Sequence, residues 1–423
     1  MRLMRKQNGM IVPMKVSRWS ISVWITDLKN SIGFLFLLLI FLSCGTKHTK
    51  YGDNVFLYSE FPQVEELKGE IIELDTVLFR YPFRIRVEGD KVIVMDLHGF
   101  DNYGHLFQYP DFHYLSSFGI HSDSPTGMLS MENLRFYNED VWTLDANKSE
   151  LTKFDFSLSG DSLLREETVA LDEDVLRVLD FTVFNDTTFI IPDYSGDSRL
   201  CMVNRKGKLF ERLGNIPTVN EDALQHARPA LAQAWRSFLD YNPHNGILAT
   251  VTQLGEVVEV YNLKDSTHVI HIGEHGEPDF EISAGYGVPA GIMGFSDVQV
   301  TDSAIYAVFH GTTFKEIAKQ NGRLPDGGKY IYVFSLKGEP LCKYVLDHYI
   351  YGICTYKVTT KKRNAERYSD RIELQGFQSC FRLFVKPSQS PLKPNQDAAT
   401  LLVRNHARNG DKRTRITKQG VKD

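Results

Sequence analysis

A short apolar strand ending in a polar turn recurs along this chain at nearly constant spacing: Val92-Ile93-Val94-Met95-Asp96, Val141-Trp142-Thr143-Leu144-Asp145 and Phe189-Ile190-Ile191-Pro192-Asp193. The terminal aspartates lie 49 and 48 residues apart. A period of that size signals a supersecondary unit that cannot bury its own apolar faces, so its copies must stack on one another. Two later copies, Ile247-Leu248-Ala249-Thr250-Val251 and Ile305-Tyr306-Ala307-Val308-Phe309, are nearly sixty residues apart because long loops are inserted between them.

Each copy has similar neighbours. An earlier strand such as Phe83-Arg84-Ile85-Arg86-Val87, Phe181-Thr182-Val183-Phe184 or Val298-Gln299-Val300 precedes it across a tight turn, which makes a hairpin. A third strand follows, as in Leu106-Phe107-Gln108-Tyr109 or Val257-Val258-Glu259-Val260-Tyr261, and then a fourth, as in Leu209 to Gly214. The second strand is almost wholly apolar, so it is expected to be buried on both faces, with the third strand alternating nearer the rim. Four antiparallel strands in about fifty residues make a propeller blade. A β-sandwich also uses short strands and regular turns, but the recurring four-strand order argues against it. Five blades are legible between Arg80 and Asp347, and a sixth begins at Tyr349-Ile350-Tyr351-Gly352-Ile353.

With its leader and cysteine, its blade spacing, Asn262-Leu263 after Tyr261 and the Tyr351-Gly352-Ile353 entry to the last blade, the chain resembles the TolB-like six-bladed β-propeller lipoproteins of bacterial envelopes. The resemblance covers about 55–353 and implies an all-β, six-bladed propeller of four-stranded antiparallel blades. Many members of that family have no assigned activity, so it implies a location and an architecture and names no reaction.

The leader, residues 1–43, resembles a lipoprotein signal peptide. Its apolar run from Ile32 to Leu42 suits a signal-peptide core and is too short to span a bilayer, which takes roughly twenty residues. Six basic residues and one acid, Asp27, fall before Gly45, and Met10 and Met14 are alternative starts. Phe41-Leu42-Ser43-Cys44 resembles a lipobox, with Phe41 where Leu is usual, which implies a lipid on Cys44 and a membrane tether over 44–54. Gly45 to Lys50 has no acidic cluster that would mark surface export, so periplasm-facing and outward-facing placements both stay open.

Charge is unevenly spread. Between Thr46 and Ile353 there are 26 basic and 46 acidic residues, so the body carries about −20, while the segment from Cys354 onward has sixteen basic and six acidic residues. An acidic field of that size disfavours nucleic acid and anionic membrane as partners, so no nucleic-acid partner is expected, and it mildly favours cationic ligands or divalent ions. Cys201, Cys342, Cys354 and Cys380 show no metal-type spacing. Cys201 and Cys342 sit in apolar runs that read as buried strands. From Cys354 the blade pattern fades. Arg371 to Leu374 and Phe381 to Val385 read as strands, and Pro387 to Asp423 reads as disordered. Residues 354–423 are thus expected to be an aberrant or disordered basic tail that leaves the last blade incomplete. It is either a frame-shifted or foreign extension or a native arm for anionic partners. Glu70-Ile71-Ile72-Glu73-Leu74 is expected to help close the ring.

Strands alternate in direction, so the turn after each second strand and each blade-to-blade connection share one face. The long inserts fall there: 98–104, 122–131, 193–198, 220–234, 274–292 and 310–328. Residues 220–234 have helical apolar spacing interrupted at Pro229 and read as a lid on the propeller mouth. The polar candidates on this face are Asp96, His98, Asp101, His105, Asp145, Asp193, Asp197 and His310, which could in principle supply ligands to a divalent metal. An aspartate that ends a strand is more often a turn former. No nucleophile elbow, zinc-protease motif or phosphate loop is present. The expected function is an envelope-anchored binding or scaffold module for a protein, peptide or glycan. The alternative is a metal-dependent hydrolase or lyase with Asp and His ligands at the channel.

Overall fold

The computed structural model describes residues 51–72, 77–320, 322, 327–362, 365–375, 380–384 and 400–402. The leader and Cys44 lie outside the described residues, as do 387–399 and 403–423 of the segment expected to be disordered.

The fold is an all-β propeller of four-stranded antiparallel blades. Blade 1 runs through Pro82–Glu88, Lys91–Asp96, Asn102–Gln108 and His113–Ile120, and blade 2 through Asn133–Tyr137, Asp140–Asp145, Glu150–Phe156 and Leu163–Ala170. Blade 3 comprises Thr182–Asn185, Thr188–Pro192, Leu200–Asn204 and Leu209–Leu213. Blade 4 is Ser237–Asn242, Ile247–Thr252, Val257–Asn262 and Thr267–Ile272, and blade 5 is Phe295–Val300, Ile305–Phe309, Gly328–Phe334 and Pro340–Ile350. The aspartates that set the repeat close the second strands of blades 1 and 2, and Asp193 follows that of blade 3.

The first strands of blades 1 to 5 neighbour one another in ring order, and the strand Gly352–Lys362 lies between those of blades 5 and 1. Its backbone pairs with Ala365–Gln375, in a sheet that also holds Cys380–Phe384, Thr400–Leu402 and Gly69–Ile72. The early segment thus joins the late one, with Gly69–Ile72 antiparallel to Cys380–Leu383. Two further early strands run parallel to outer strands, Val55–Leu57 on blade 4 and Gln63–Leu67 on blade 5.

Apolar packing runs between blades. One cluster joins Met95, Leu106 and Phe118 of blade 1 to Leu134 and Phe154 of blade 2. Another joins Trp142 and Leu144 to Phe181, Phe189 and Val203. A third unites Phe238 and Val251 with Phe295, Phe309 and Tyr332 across blades 4 and 5. Cys201 is buried in the second of these clusters, and Cys342 and Cys354 are buried in neighbouring ones.

The expected alternation of the third strand is a correction to make. Asn102–Gln108 and Val257–Asn262 are buried almost throughout, and alternation appears one strand further out, at Leu163–Ala170. The blades are wide enough that three strands, and not two, lie between neighbouring sheets.

The axis itself is filled with charge. Arg84 and Arg86 of blade 1 face Asp297 of blade 5 at 3.6 and 3.3 Å, and Arg135 of blade 2 meets Asp180, just before blade 3, at 3.0 Å. The same groups hold the backbone of other blades. Arg84 donates to Ser296 O, Arg86 to Ile353 O, and Arg135 to Phe181 O and Leu239 O, while Asp297 accepts from Ile353 N–H and Asp180 from Leu239 N–H. Burial alone would raise the Asp297 pKa, but the two guanidiniums and the Ile353 N–H outweigh it and hold the carboxyl below its ordinary value.

Removing one member of a buried ion pair strands the others without counter-charge. Asp297→Ala is expected to lower the free energy of unfolding by about 3–5 kcal/mol. Chemical denaturation checks this, and a loss under 1 kcal/mol would contradict the role given to the pair.

Candidate functional site

The upper face carries the turns after the second strands and the blade-to-blade connections. Its lid consists of two short helices, α1 (Glu221–His226) and α2 (Arg228–Ala234). Asn220 caps α1 by accepting from Ala223 N–H, and Pro229 falls in the first turn of α2, where its missing N–H costs nothing. Ala230, Leu231, Ala232 and Ala234 are buried beneath α2. Gly196, at φ +92°, lies so close to the start of α2 that a Cβ would meet Arg228 O at 2.7 Å. The connection from blade 4 to blade 5, read from the sequence as a loop, contains a hairpin of Phe280–Ser283 and Tyr286–Pro289 that packs on α2 and leaves Ile282, Tyr286 and Val288 exposed. A third helix, α3 (Phe314–Lys319), follows His310 and begins with a capping box at Thr313.

Asp96, Asp145 and Asp193 are turn formers, each in its own blade. Asp96 accepts from the N–H groups of Arg80 and Tyr81, both at 2.7 Å, and so straps the entry to blade 1. Asp145 accepts from Leu129, Asn147 and Lys148 N–H and from the Ser130 hydroxyl. Asp193 accepts from Ser195 and Ser198 N–H and from the Ser198 hydroxyl. Asp101 is exposed, and Asp197 only approaches Arg228, at 4.0 Å. His105 lies on the third strand of blade 1, bound to Ser117 Oγ at 2.8 Å. Among the described residues, no three His, Cys, Asp or Glu side chains come together in a way that could hold a metal ion.

Two candidates do share one neighbourhood. His98 packs on Tyr81, Tyr81 on Tyr351 and Tyr351 near His310, with ring centroids 5.2, 5.2 and 6.3 Å apart. This aromatic cluster spans the upper ends of blade 5, the Gly352 strand and blade 1. His310 is buried with both ring nitrogens unpartnered, and burial pulls its pKa down to about 4, so the ring is neutral at physiological pH. Nearby, burial first and then Asp145 raise the Glu132 pKa, with Arg84 opposing them.

Two clefts open on the lower face. A cleft of about 460 Å³ at the lower end of the axis is lined by Glu88, Tyr241, Asn242, His244, Asp302 and Thr355, and a second of about 560 Å³ by Glu88, Phe136, Glu139, Asp140 and Asp155. Glu88 and Gly89 border both. Burial and the facing Glu139 raise the Glu88 pKa.

Sequence reasoning missed the polar residues of the innermost strands: Arg84, Arg86, Arg135, Asp180, Asp240 and Asp297. Their signal was present, since a charge inside an apolar strand such as Phe83-Arg84-Ile85-Arg86-Val87 must be paired if the strand is buried. Asp240 accepts from Val300 N–H at 2.8 Å, and burial, only partly offset by Arg135, lifts its pKa to about 6. The folded state therefore holds a proton that the unfolded state releases near pH 4, so stability falls as pH rises from 4 to 6 and is level above. Asp240→Asn keeps an acceptor for Val300 and removes this penalty. At pH 7 it is expected to be more stable than the parent by about 2 kcal/mol, and at pH 4 the two should coincide. Melting followed at both pH values measures the difference, and a destabilised variant at pH 7 would refute it.

Among the described residues no helix is long and apolar enough to cross a membrane. No curated protein matches the chain. Among solved structures it is similar to a Bacteroides fragilis protein described as exported, at 11% identity and a TM-score of 0.43, covering 69% of this chain and 80% of that one. It is also similar to a member of the duf4221 family from Bacteroides vulgatus (10% identity, TM-score 0.42, 67% and 86% covered) and to a protein of unknown function from Bacteroides caccae (10%, 0.41, 64% and 85%). A family model matches residues 60–357, and the chain belongs to the TolB-like 6-blade propeller-like family.

Proposed function

We propose that this chain is a six-bladed, envelope-anchored propeller, tethered through a lipid on Cys44, that serves as a binding or scaffold module and engages a protein, peptide or glycan at its upper face. The observation that carries this reading is the state of the axial carboxylates. Asp180 and Asp297 each accept four hydrogen bonds, from guanidinium, amide and backbone N–H groups, so these carboxylates hold blades together. A hydrolase or lyase of the channel type needs such groups free and convergent. The upper face, in contrast, carries the inserts, both lid helices, the exposed hairpin and the aromatic cluster, and loops on a rigid scaffold are where binding is built.

Support for a sixth blade comes from the run Gly352–Thr355. Arg86 and Val87 of blade 1 bind it through Ile353 O and Cys354 Sγ, and blade 5 binds it through Asp297 and Gln299. A first strand held from both sides is the place a sixth blade would begin. The acidic body disfavours nucleic acid as the partner.

Two experiments test the proposal. Radiolabelled palmitate should enter the full-length protein in cells, and Cys44→Ser should abolish the label and move the protein into the aqueous phase on detergent partitioning; an unlabelled parent would end the tether half. For the binding half, cross-linked envelope partners of the full-length protein should fall at least fivefold with Tyr81→Ala or Ile282→Asp, stay level with Glu139→Lys on the lower face, and be insensitive to EDTA. Loss with Glu139→Lys alone would move the site to the lower face. A melting point that drops several degrees in EDTA would favour the metal-dependent alternative.

A further inference from the structure

The outermost strand of a sheet leaves part of its backbone unpaired, and proteins in water protect such edges with charge or cover. The outermost strands of blades 2, 3 and 5 carry charge: Arg165 to Glu167, Glu211 and Arg212, and Glu65 and Glu66. That of blade 1 is uncharged but exposes only its two ends. Blade 4 differs. Its outer edge is Val55–Leu57, three apolar residues without a charge, with Phe56 49% and Leu57 61% exposed.

Position in the chain supplies a cover. The edge strand is tied to its blade at both ends: Asn54 O accepts from Ile270 N–H at 2.9 Å, and Tyr58 N–H donates to Ile272 O at 3.0 Å. Between them the Phe56 ring stacks on His271, with centroids 5.3 Å apart. The strand runs parallel to Thr267–Ile272, which rises from a lower-face turn toward the connection to blade 5, so the chain arrives from the lower side of the rim. Only residues 45–54 separate this strand from Cys44, and fully extended they span at most about 40 Å. A lipid on Cys44 therefore keeps a bilayer within reach of the edge at all times, and in such an intramolecular arrangement even a weak contact forms. The body's charge of about −20 repels an anionic bilayer, but residues 45–54 carry Lys47 and Lys50 against Asp53, and the edge itself is neutral.

We propose that the rim of blade 4 at Phe56 and Leu57 is a membrane-contact surface, with these two side chains entering the headgroup layer beside the lipid tether. The proposal deepens the envelope-anchored reading above and rests on it. Alternate N–H and C=O groups of Val55–Leu57 point away from Thr267–Ile272 and meet no pairing strand among the described residues. Contact therefore ends among the headgroups, where water satisfies these groups, and does not reach the hydrocarbon. With the bilayer at this rim, the upper face is left open to a partner.

Tryptophan fluorescence tests the contact, because outside the leader the tryptophans are Trp142 and Trp235, both buried. The lipidated chain is reconstituted into vesicles of phosphatidylethanolamine and phosphatidylglycerol whose acyl chains are either plain or brominated near the headgroup. Emission of Phe56→Trp is expected to shift to the blue on reconstitution and to fall at least twofold in brominated vesicles. Tyr286→Trp on the upper face and Phe210→Trp on the outer strand of blade 3 should lose less than a tenth. Leu57→Trp gives the same reading if loss of the Phe56 stacking prevents the first variant from folding. A protein that pellets with the vesicles while positions 56 and 57 are quenched no more than the controls would leave the tether standing and overturn the contact. A blue shift that is independent of bromine and grows with protein density would place a second copy on the edge and also overturn it. A parent that takes up no palmitate and fails to pellet would end the tether reading, and this proposal with it.

Discussion

The interlocking of arginine and carboxylate at the axis is the constraint on which the rest of this propeller depends. Radially arranged blades bring their innermost strands close together, and apolar layers between sheets cannot decide how far one blade slides along the axis against the next. Directional bonds can. Asp180 fixes Leu239 of blade 4, Asp240 fixes Val300 of blade 5, and Asp297 fixes Ile353 of the following strand. Each bond locks the axial offset between one blade and the next, and the arginines reach across to carbonyls that would otherwise be buried unpaired. Burying charges this way is unfavourable in isolation, so the network is better understood as setting geometry than as a source of net stability.

A second clamp works further from the axis. Arg199, ahead of the third strand of blade 3, binds Glu259 on the third strand of blade 4 at 2.7 Å and also Trp235 O at 3.0 Å. Thr250 and Tyr261 also donate to the carboxylate, and His268 lies 3.4 Å from it. Burial alone would raise the Glu259 pKa, but Arg199 foremost brings it down to about 2, so the clamp stays charged through the physiological range and loosens only as pH falls toward that value. It ties blade 4 to blade 3 and, through Trp235 O, to the end of α2.

The blades and their order were legible because each second strand is a short apolar run, in the first three blades with an aspartate at or just after its end, and the apolar run is a local consequence of burial on both faces. Residues 220–234 could likewise be read as a broken helix from apolar spacing and Pro229. The site was less legible. Asp96, Asp145 and Asp193 were candidate ligands because they sit at loop mouths, with turn formation the commoner role, and each does satisfy the N–H groups of its own turn. The partners of Arg84 and Arg86 lie 200 residues away in sequence and adjoin them only when the ring forms.

By itself the sequence determined what is local: strand length, turn chemistry, the period of about fifty residues and the acidic character of the body, all of which follow from how far a residue's neighbours in the chain can satisfy it. Tertiary structure alone decided which charges meet, where the lower-face clefts open and which polar groups are left over. Pairing across blades depends on the radial arrangement and not on sequence separation, so only in the folded ring does it emerge that Arg199 has its glutamate while, among the described residues, the ring nitrogens of His310 are left without a hydrogen-bond partner.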